Sequence, residues 1–125
     1  MKPLVLCVED QQMMRFFLDY YLHDQFEVIG KADGLEALAW LEEGHMPELI
    51  LADIDMPGLD GARLLNIVRS SEATRNIPFV ILSGIEDSQT RVEVLESGAD
   101  DFLLKPFHPR ELQMRIDIAL KRRNN

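Results

Sequence analysis

The sequence has 125 residues, 46% of them hydrophobic and 28% charged, which suits one globular domain and excludes a disordered chain. Thirteen basic against 22 acidic side chains give a formal net charge of −9, which excludes general affinity for polyanions such as nucleic acid or an anionic membrane. One cysteine excludes an internal disulfide, and no apolar run approaches the ~18 residues of a membrane span.

The first apolar run, Leu4 to Val8, reads as a strand, and it meets Glu9-Asp10 too soon to serve as a signal peptide. The cytoplasm is therefore the expected compartment. Met14, Phe17, Leu18, Tyr21 and Leu22 follow at helical spacing. Phe26 to Ile29 is a second strand. Asp33 and Glu36 have the form of a capping box, opening a helix whose apolar face is expected at Leu35, Leu38 and Ala39, with Gly44 as its stop. Leu49 to Ala52 is the third strand, and Gly61 to Arg69 a helix presenting Leu64, Leu65 and Val68. Ile77 to Leu82 is the fourth strand, with a helix from Ser88 to Ser97 stopped by Gly98. Phe102 to Leu104 is the fifth. A final helix opens at Pro109, with Leu112, Ile116, Ala119 and Leu120 as its stripe. Five strand-helix units with nearly continuous apolar strands predict an α/β domain over residues 1–125, a parallel sheet covered on both faces.

In such a doubly wound sheet, ligands bind beyond the carboxyl ends of the strands. Those ends carry Glu9-Asp10, Asp53 and Asp55, Ser83-Gly84 and Lys105-Pro106. Clustered carboxylates repel one another unless a cation sits among them, and magnesium suits oxygen ligands combined with a phosphate. Lys105 reads as a point charge for a phosphoryl group and Ser83 as a hydroxyl donor to it. One aspartate is then the nucleophile, and the chemistry predicted is an aspartyl phosphate.

Glu9-Asp10, Asp53-Ile-Asp-Met-Pro-Gly-Leu-Asp-Gly61, Ser83-Gly84 and Gly98-Ala-Asp-Asp-Phe-Leu-Leu-Lys-Pro-Phe107 resemble the response-regulator receiver domains of two-component signalling. The resemblance covers essentially the whole chain. It implies a flavodoxin-like (βα)5 fold with strand order 2-1-3-4-5 and a Lys105-Pro106 bond that is usually cis. It makes Asp53 the phosphoacceptor, with magnesium held by Glu9, Asp10, Asp53 and the backbone carbonyl of Asp55. Ser83 and Phe102 become the switch hydroxyl and aromatic, and Lys105 the site lysine. Here the hydroxyl is serine where threonine is commoner, and the aromatic lacks the hydroxyl of the frequent tyrosine. The implied partners are a histidine kinase or phosphotransfer protein and an output domain or target. A weak homodimer is expected through the fourth helix, fifth strand and fifth helix. Cross-subunit pairs there are Arg91–Glu111 and Asp101–Arg115, while Ile118 stands opposite Asp100 and leaves it free.

Each of these residues has a plainer reading: Glu9-Asp10 as a helix cap, Asp53 as a loop aspartate, Ser83 as a turn residue, Lys105 as a surface lysine. All four would have to hold at once on four strands of one sheet. The rival enzyme is a haloacid-dehalogenase-like phosphatase, for which Asp53-Ile-Asp55, Ser83 and Lys105 mimic three motifs. That family places its metal acids after the lysine, where the only aspartate of this chain is Asp117, in mid-helix. A scaffold that has lost phosphorylation is disfavoured because no site position is missing. Cys7 is expected to be buried and inert, Trp40 to pack, and His23, His45 and His108 to lie at the surface or cap helices. Lys121-Arg122-Arg123 is expected to complement the dipole of the last helix.

Overall fold

A computed structural model describes residues 2–124. Strands and helices alternate as β1 (Leu4–Val8), α1 (Gln12–Leu22), β2 (Glu27–Lys31), α2 (Gly34–Glu42), β3 (Leu49–Asp53), α3 (Gly61–Ser70), β4 (Phe79–Ser83), α4 (Ser88–Glu96), β5 (Asp101–Leu104) and α5 (Pro109–Asn124). The sheet is parallel throughout, in the order β2-β1-β3-β4-β5. Every residue of β3 and β4 is buried. This is why those strands read as unbroken apolar runs: helices cover both of their faces.

Alternate side chains of each strand feed two cores. Leu6, Val8, Ile50, Ala52, Phe79 and Ile81 pack against Ala37, Trp40, Leu64, Leu65, Val68 and Val94. Val5, Cys7, Leu49, Leu51, Val80, Leu82 and Leu103 pack against Leu18 and Leu22 of α1 and Leu112, Ile116 and Ala119 of α5. The stripes expected for α3 and α5 are those observed. The one expected for α2 is observed only in part: Leu38 packs against the core, but Leu35 is 61% exposed and Ala39 lies outward, while Ala37, Trp40 and Leu41 are buried. Gly34 explains the rotation. A β-carbon there would stand 2.2 Å from the carbonyl oxygen of Leu59, so the helix is pressed in along Gly34, and residues three and seven positions on share its face. The second and fourth strands also sit one or two residues later than expected, since Phe26, Ile77 and Pro78 are buried just before the strands begin.

Helix ends follow local chemistry. Asp33 accepts the Glu36 N–H at 2.8 Å, as expected. Gly44 and Gly98 adopt φ of 100° and 112° just beyond α2 and α4, the left-handed conformation that glycine supplies without strain. His23 bonds to the carbonyl of Tyr20, His108 accepts the Arg110 N–H, and His45 stacks on Trp40.

At the amino ends of β4 and β5 the sequence expectation is overturned. Asp100 is not free. It is buried, and its carboxylate accepts from Arg69 Nη2 at 3.1 Å, Arg123 Nε at 2.8 Å and the Phe79 N–H at 2.9 Å. Arg122 Nη1 donates to the Asp100 carbonyl at 2.8 Å. The partners lie one turn beyond Ile118 on α5 and on α3, so isoleucine at 118 costs Asp100 nothing. The basic run thus has specific partners besides the helix dipole. No helix among the described residues is long and apolar enough to cross a membrane.

Candidate functional site

The carboxyl ends of β1, β3 and β5 bring Glu9, Asp53 and Lys105 together. Lys105 Nζ donates to Glu9 Oε1 at 2.6 Å and to Asp53 Oδ2 at 3.0 Å. Glu9 is wholly buried, Asp53 is 6% exposed, and Asp10 projects into solvent. One carboxylate oxygen from each of the three acids lies within 4.8 Å of the others. The backbone completes the second oxygens: the Gln11 N–H donates to Glu9 Oε2 at 3.1 Å, and the Asp55 N–H to Asp53 Oδ1 at 3.3 Å. That last bond sets the Asp55 peptide beside Asp53.

Local sequence builds this corner. The Ile54 N–H continues the ladder to the Leu82 carbonyl at 2.8 Å, holding the chain just after Asp53 against β4. Gly61 starts α3 so close to that turn that a β-carbon would stand 2.3 Å from the Asp53 carbonyl oxygen. Any side chain there would lever the helix and the aspartate apart. The Lys105 N–H is held by the Ser83 carbonyl at 2.7 Å, and the Lys105-Pro106 bond is cis.

Burial is the chief influence on Glu9 and pushes its carboxyl up to about 7, against the opposing hydrogen bonds from Lys105 and Gln11. Burial also disfavours the Lys105 ammonium, but the hydrogen bonds and charges of Glu9 and Asp53 outweigh it and hold the lysine above its usual range. Three carboxylates thus face one ammonium. A donor set of hard oxygens with surplus negative charge fits a divalent cation such as magnesium.

Ser83 and Phe102 are near this cluster and not part of it. Ser83 is buried, and its Oγ donates to the Ile85 carbonyl at 3.0 Å and accepts the Ile85 N–H at 3.1 Å. Phe102 is half-buried and packs against the α2–α3–α4 core. Cys7 is buried as expected, and burial with the nearby charge of Asp19 pushes its thiol up to about 12. The sequence reading missed Arg15, whose Nη1 donates to the Glu9 carbonyl at 2.6 Å and the Asp10 carbonyl at 3.3 Å. A signal existed: a cation close to a helix N-terminus opposes the helix dipole and needs another partner.

A family model for the response regulator receiver domain matches residues 5–117. The chain is 40% identical over 122 residues to the virulence transcriptional regulatory protein PhoP of Salmonella typhimurium strain LT2, covering 97% of this chain and 53% of that protein. It is 35% identical over 122 residues to the cyclic di-GMP phosphodiesterase response regulator RpfG of Xanthomonas campestris, covering 95% of this chain and 32% of that one. The chain therefore spans about half the length of PhoP, and less of RpfG. Among solved structures, a putative response regulator from Chloroflexus aurantiacus aligns with a TM-score of 0.91 at 31% identity, covering 97% of this chain and 99% of that one. The receiver domain of the sensor histidine kinase PA1611 from Pseudomonas aeruginosa aligns with a TM-score of 0.87 at 28% identity, covering 97% and 99%. That protein has a magnesium ion coordinated in its active site cleft. These matches lend the phosphatase reading no support, and the strand order, acid cluster and lysine agree with them. The chain belongs to the response regulator receiver domains, the phosphorylation-controlled switches of two-component signalling.

Proposed function

We propose that residues 1–125 act as one receiver domain in which Asp53 accepts a phosphoryl group from a histidine kinase or phosphotransfer protein. Its two end residues lie outside the described ones. The observation that carries this is the shared Lys105 ammonium, 3.0 Å from Asp53 and 2.6 Å from Glu9, at a buried carboxylate. An Asp53 oxygen forms the new P–O bond as the P–N bond to the donor imidazole breaks, and the imidazole nitrogen keeps the electron pair. Glu9, Asp10, Asp53 and the Asp55 carbonyl would hold magnesium, which supplies positive charge to the phosphoryl oxygens. Lys105 stays charged between the acids and is placed to pair with one of those oxygens. The domain thus promotes only its own phosphorylation and dephosphorylation and turns over no separate substrate.

Ser83 is the residue that answers. A phosphoryl group on Asp53 offers its hydroxyl a stronger acceptor than the Ile85 peptide, and on turning toward it Ser83 frees that loop and makes room for Phe102. The donor must approach over the end of the sheet where α1 begins. There Met13, Phe16 and Tyr20 are 78%, 65% and 61% exposed, an i, i+3, i+7 stripe suited to a helical partner. The output surface is α4-β5-α5, where Asp101 and Arg115 pair within the chain at 3.3 Å and Ile118 is exposed. On this reading that face forms a weak homodimer or meets an output domain, in the cytoplasm.

Acetyl phosphate with magnesium should add one phosphoryl group by intact mass, and Asp53→Asn should abolish it, because an amide cannot act as acceptor. Stoichiometric labelling of that variant would overturn the assignment. Beryllofluoride with magnesium should raise the sedimentation coefficient, and Ile118→Glu should prevent this; a monomer in both states would direct the face to a different partner.

A further inference from the structure

Among the described residues, three helices are entered through an aspartate. Asp33, Asp60 and Asp87 accept a backbone N–H two or three residues on, at 2.8, 2.9 and 3.1 Å. The entry to α1 is different. Gln11 stands at its N-cap position without a side-chain hydrogen bond, and no acidic residue lies in the first turn. A helix start left this way frays easily. This one is preceded directly by Glu9 and Asp10.

We infer that Arg15 is a positioning residue that supplies the missing restraint and holds the Glu9–Asp10 segment in place for a divalent cation. One guanidinium nitrogen spans two consecutive peptide groups, donating to the Glu9 carbonyl at 2.6 Å and the Asp10 carbonyl at 3.3 Å. The first is a short, charge-assisted bond. The arginine stem crosses β2 at Gly30, its Cδ 3.6 Å from where a β-carbon would stand, so no neighbouring side chain displaces it. The Glu9 N–H is tied to the Lys31 carbonyl at 3.0 Å, and Glu9 Oε2 receives the Gln11 N–H. With Arg15 added, both peptide groups flanking Glu9 and the carbonyl that follows Asp10 are fixed. A cation four residues into a helix and next to a cation site is electrostatically misplaced on two counts. The two carbonyls are the compensation.

This inference rests on the reading of Glu9, Asp10 and Asp53 as the magnesium site, and the sign of one measurement separates positioning from charge. Removing a positive charge near the site would, by Coulomb attraction alone, tighten magnesium. Removing a restraint weakens it, because the ligands must then be ordered on binding. Calorimetric titration of Arg15→Met with magnesium chloride should show the Kd raised about 3- to 10-fold, reaching at most the lower end of the ~10- to 100-fold range for partners that orient metal ligands. Arg15→Lys, which keeps the charge and a donor, should recover most of the loss. In the metal-free protein the Gln11 amide should exchange hydrogen faster in Arg15→Met than in the wild type. An unchanged or lowered Kd in Arg15→Met overturns the inference. If Asp10→Asn also binds magnesium as the wild type does, the site reading itself fails. If Asp10→Asn loses magnesium while Arg15→Met does not, only the role of Arg15 falls.

Discussion

At the amino ends of β4 and β5, Asp100 is buried between Arg69 and Arg123, whereas at the carboxyl ends of β1 and β3, Glu9 and Asp53 share a single cation, Lys105. Both regions bury carboxylates and both use cations from distant elements. They differ in the balance. Asp100 meets two guanidinium groups and a backbone N–H, and Arg69 spends its remaining donors on the carbonyls of Arg75, Ile77 and Gly98. Both Asp100 oxygens are occupied, so this carboxylate has nothing left to offer a further cation. With two guanidinium groups on one carboxylate the surplus at that end is positive, and burial, followed by repulsion from Arg123, lowers Arg69 to about 10 in spite of Asp100. At the other end three acids face one lysine and the surplus is negative, while burial above all pushes Glu9 up. A saturated cluster stabilises a fold; an unsaturated one is a request for a ligand.

The comparison breaks most directly at Asp100. Asp100→Ala strands two half-buried guanidinium groups and the Phe79 N–H, and should cost about 3–5 kcal/mol in urea unfolding. Phosphorylation of the folded fraction should remain near wild type. A loss below ~1 kcal/mol would show that the lower cluster is not the staple its bonding indicates.

Cys7 sharpens the contrast as a buried ionisable group with no counter-charge. Its folded value of about 12 lies above the ordinary thiol value of 9.0, so between those limits the unfolded chain loses a proton that the folded chain keeps. Stability should therefore fall as pH rises above 9, more in the wild type than in Cys7→Ala, and be unaffected by this residue below that pH. Native protein at pH 8 should react with a thiol reagent only as fast as it opens.

The smallest effect is expected at Asp10. Asp10→Asn removes one of three repelling carboxylates, so the metal-free protein should melt about 1–3 °C higher. The same variant should lose most of the melting shift that magnesium gives the wild type. A variant less stable without metal, or equally stabilised by it, would mean that the carboxylates at this end are not in excess.

Much of this was legible in order along the chain. Strand identities followed from short unbroken apolar runs and helix identities from a period near 3.6, and the residues ending each strand pointed to one end of one sheet. Asp33, Gly44, Gly98 and Pro109 marked helix ends because their effects reach only a turn away. Where the reading went astray, the cause was contact between distant segments. The rotation of α2 came from Gly34 meeting Leu59 across a loop, which no periodicity within the helix reveals. The resemblance to receiver domains named Glu9, Asp53 and Lys105 together, yet their hydrogen bonds join residues 96 and 52 positions apart. Sequence by itself determined which groups are acidic, basic or apolar and on which elements they ride, because those are properties of single residues and their near neighbours. Tertiary structure alone decided that Asp100 has two arginines and that Gly34 is pressed against Leu59. Charge balance is a sum over groups that only folding brings within hydrogen-bonding distance.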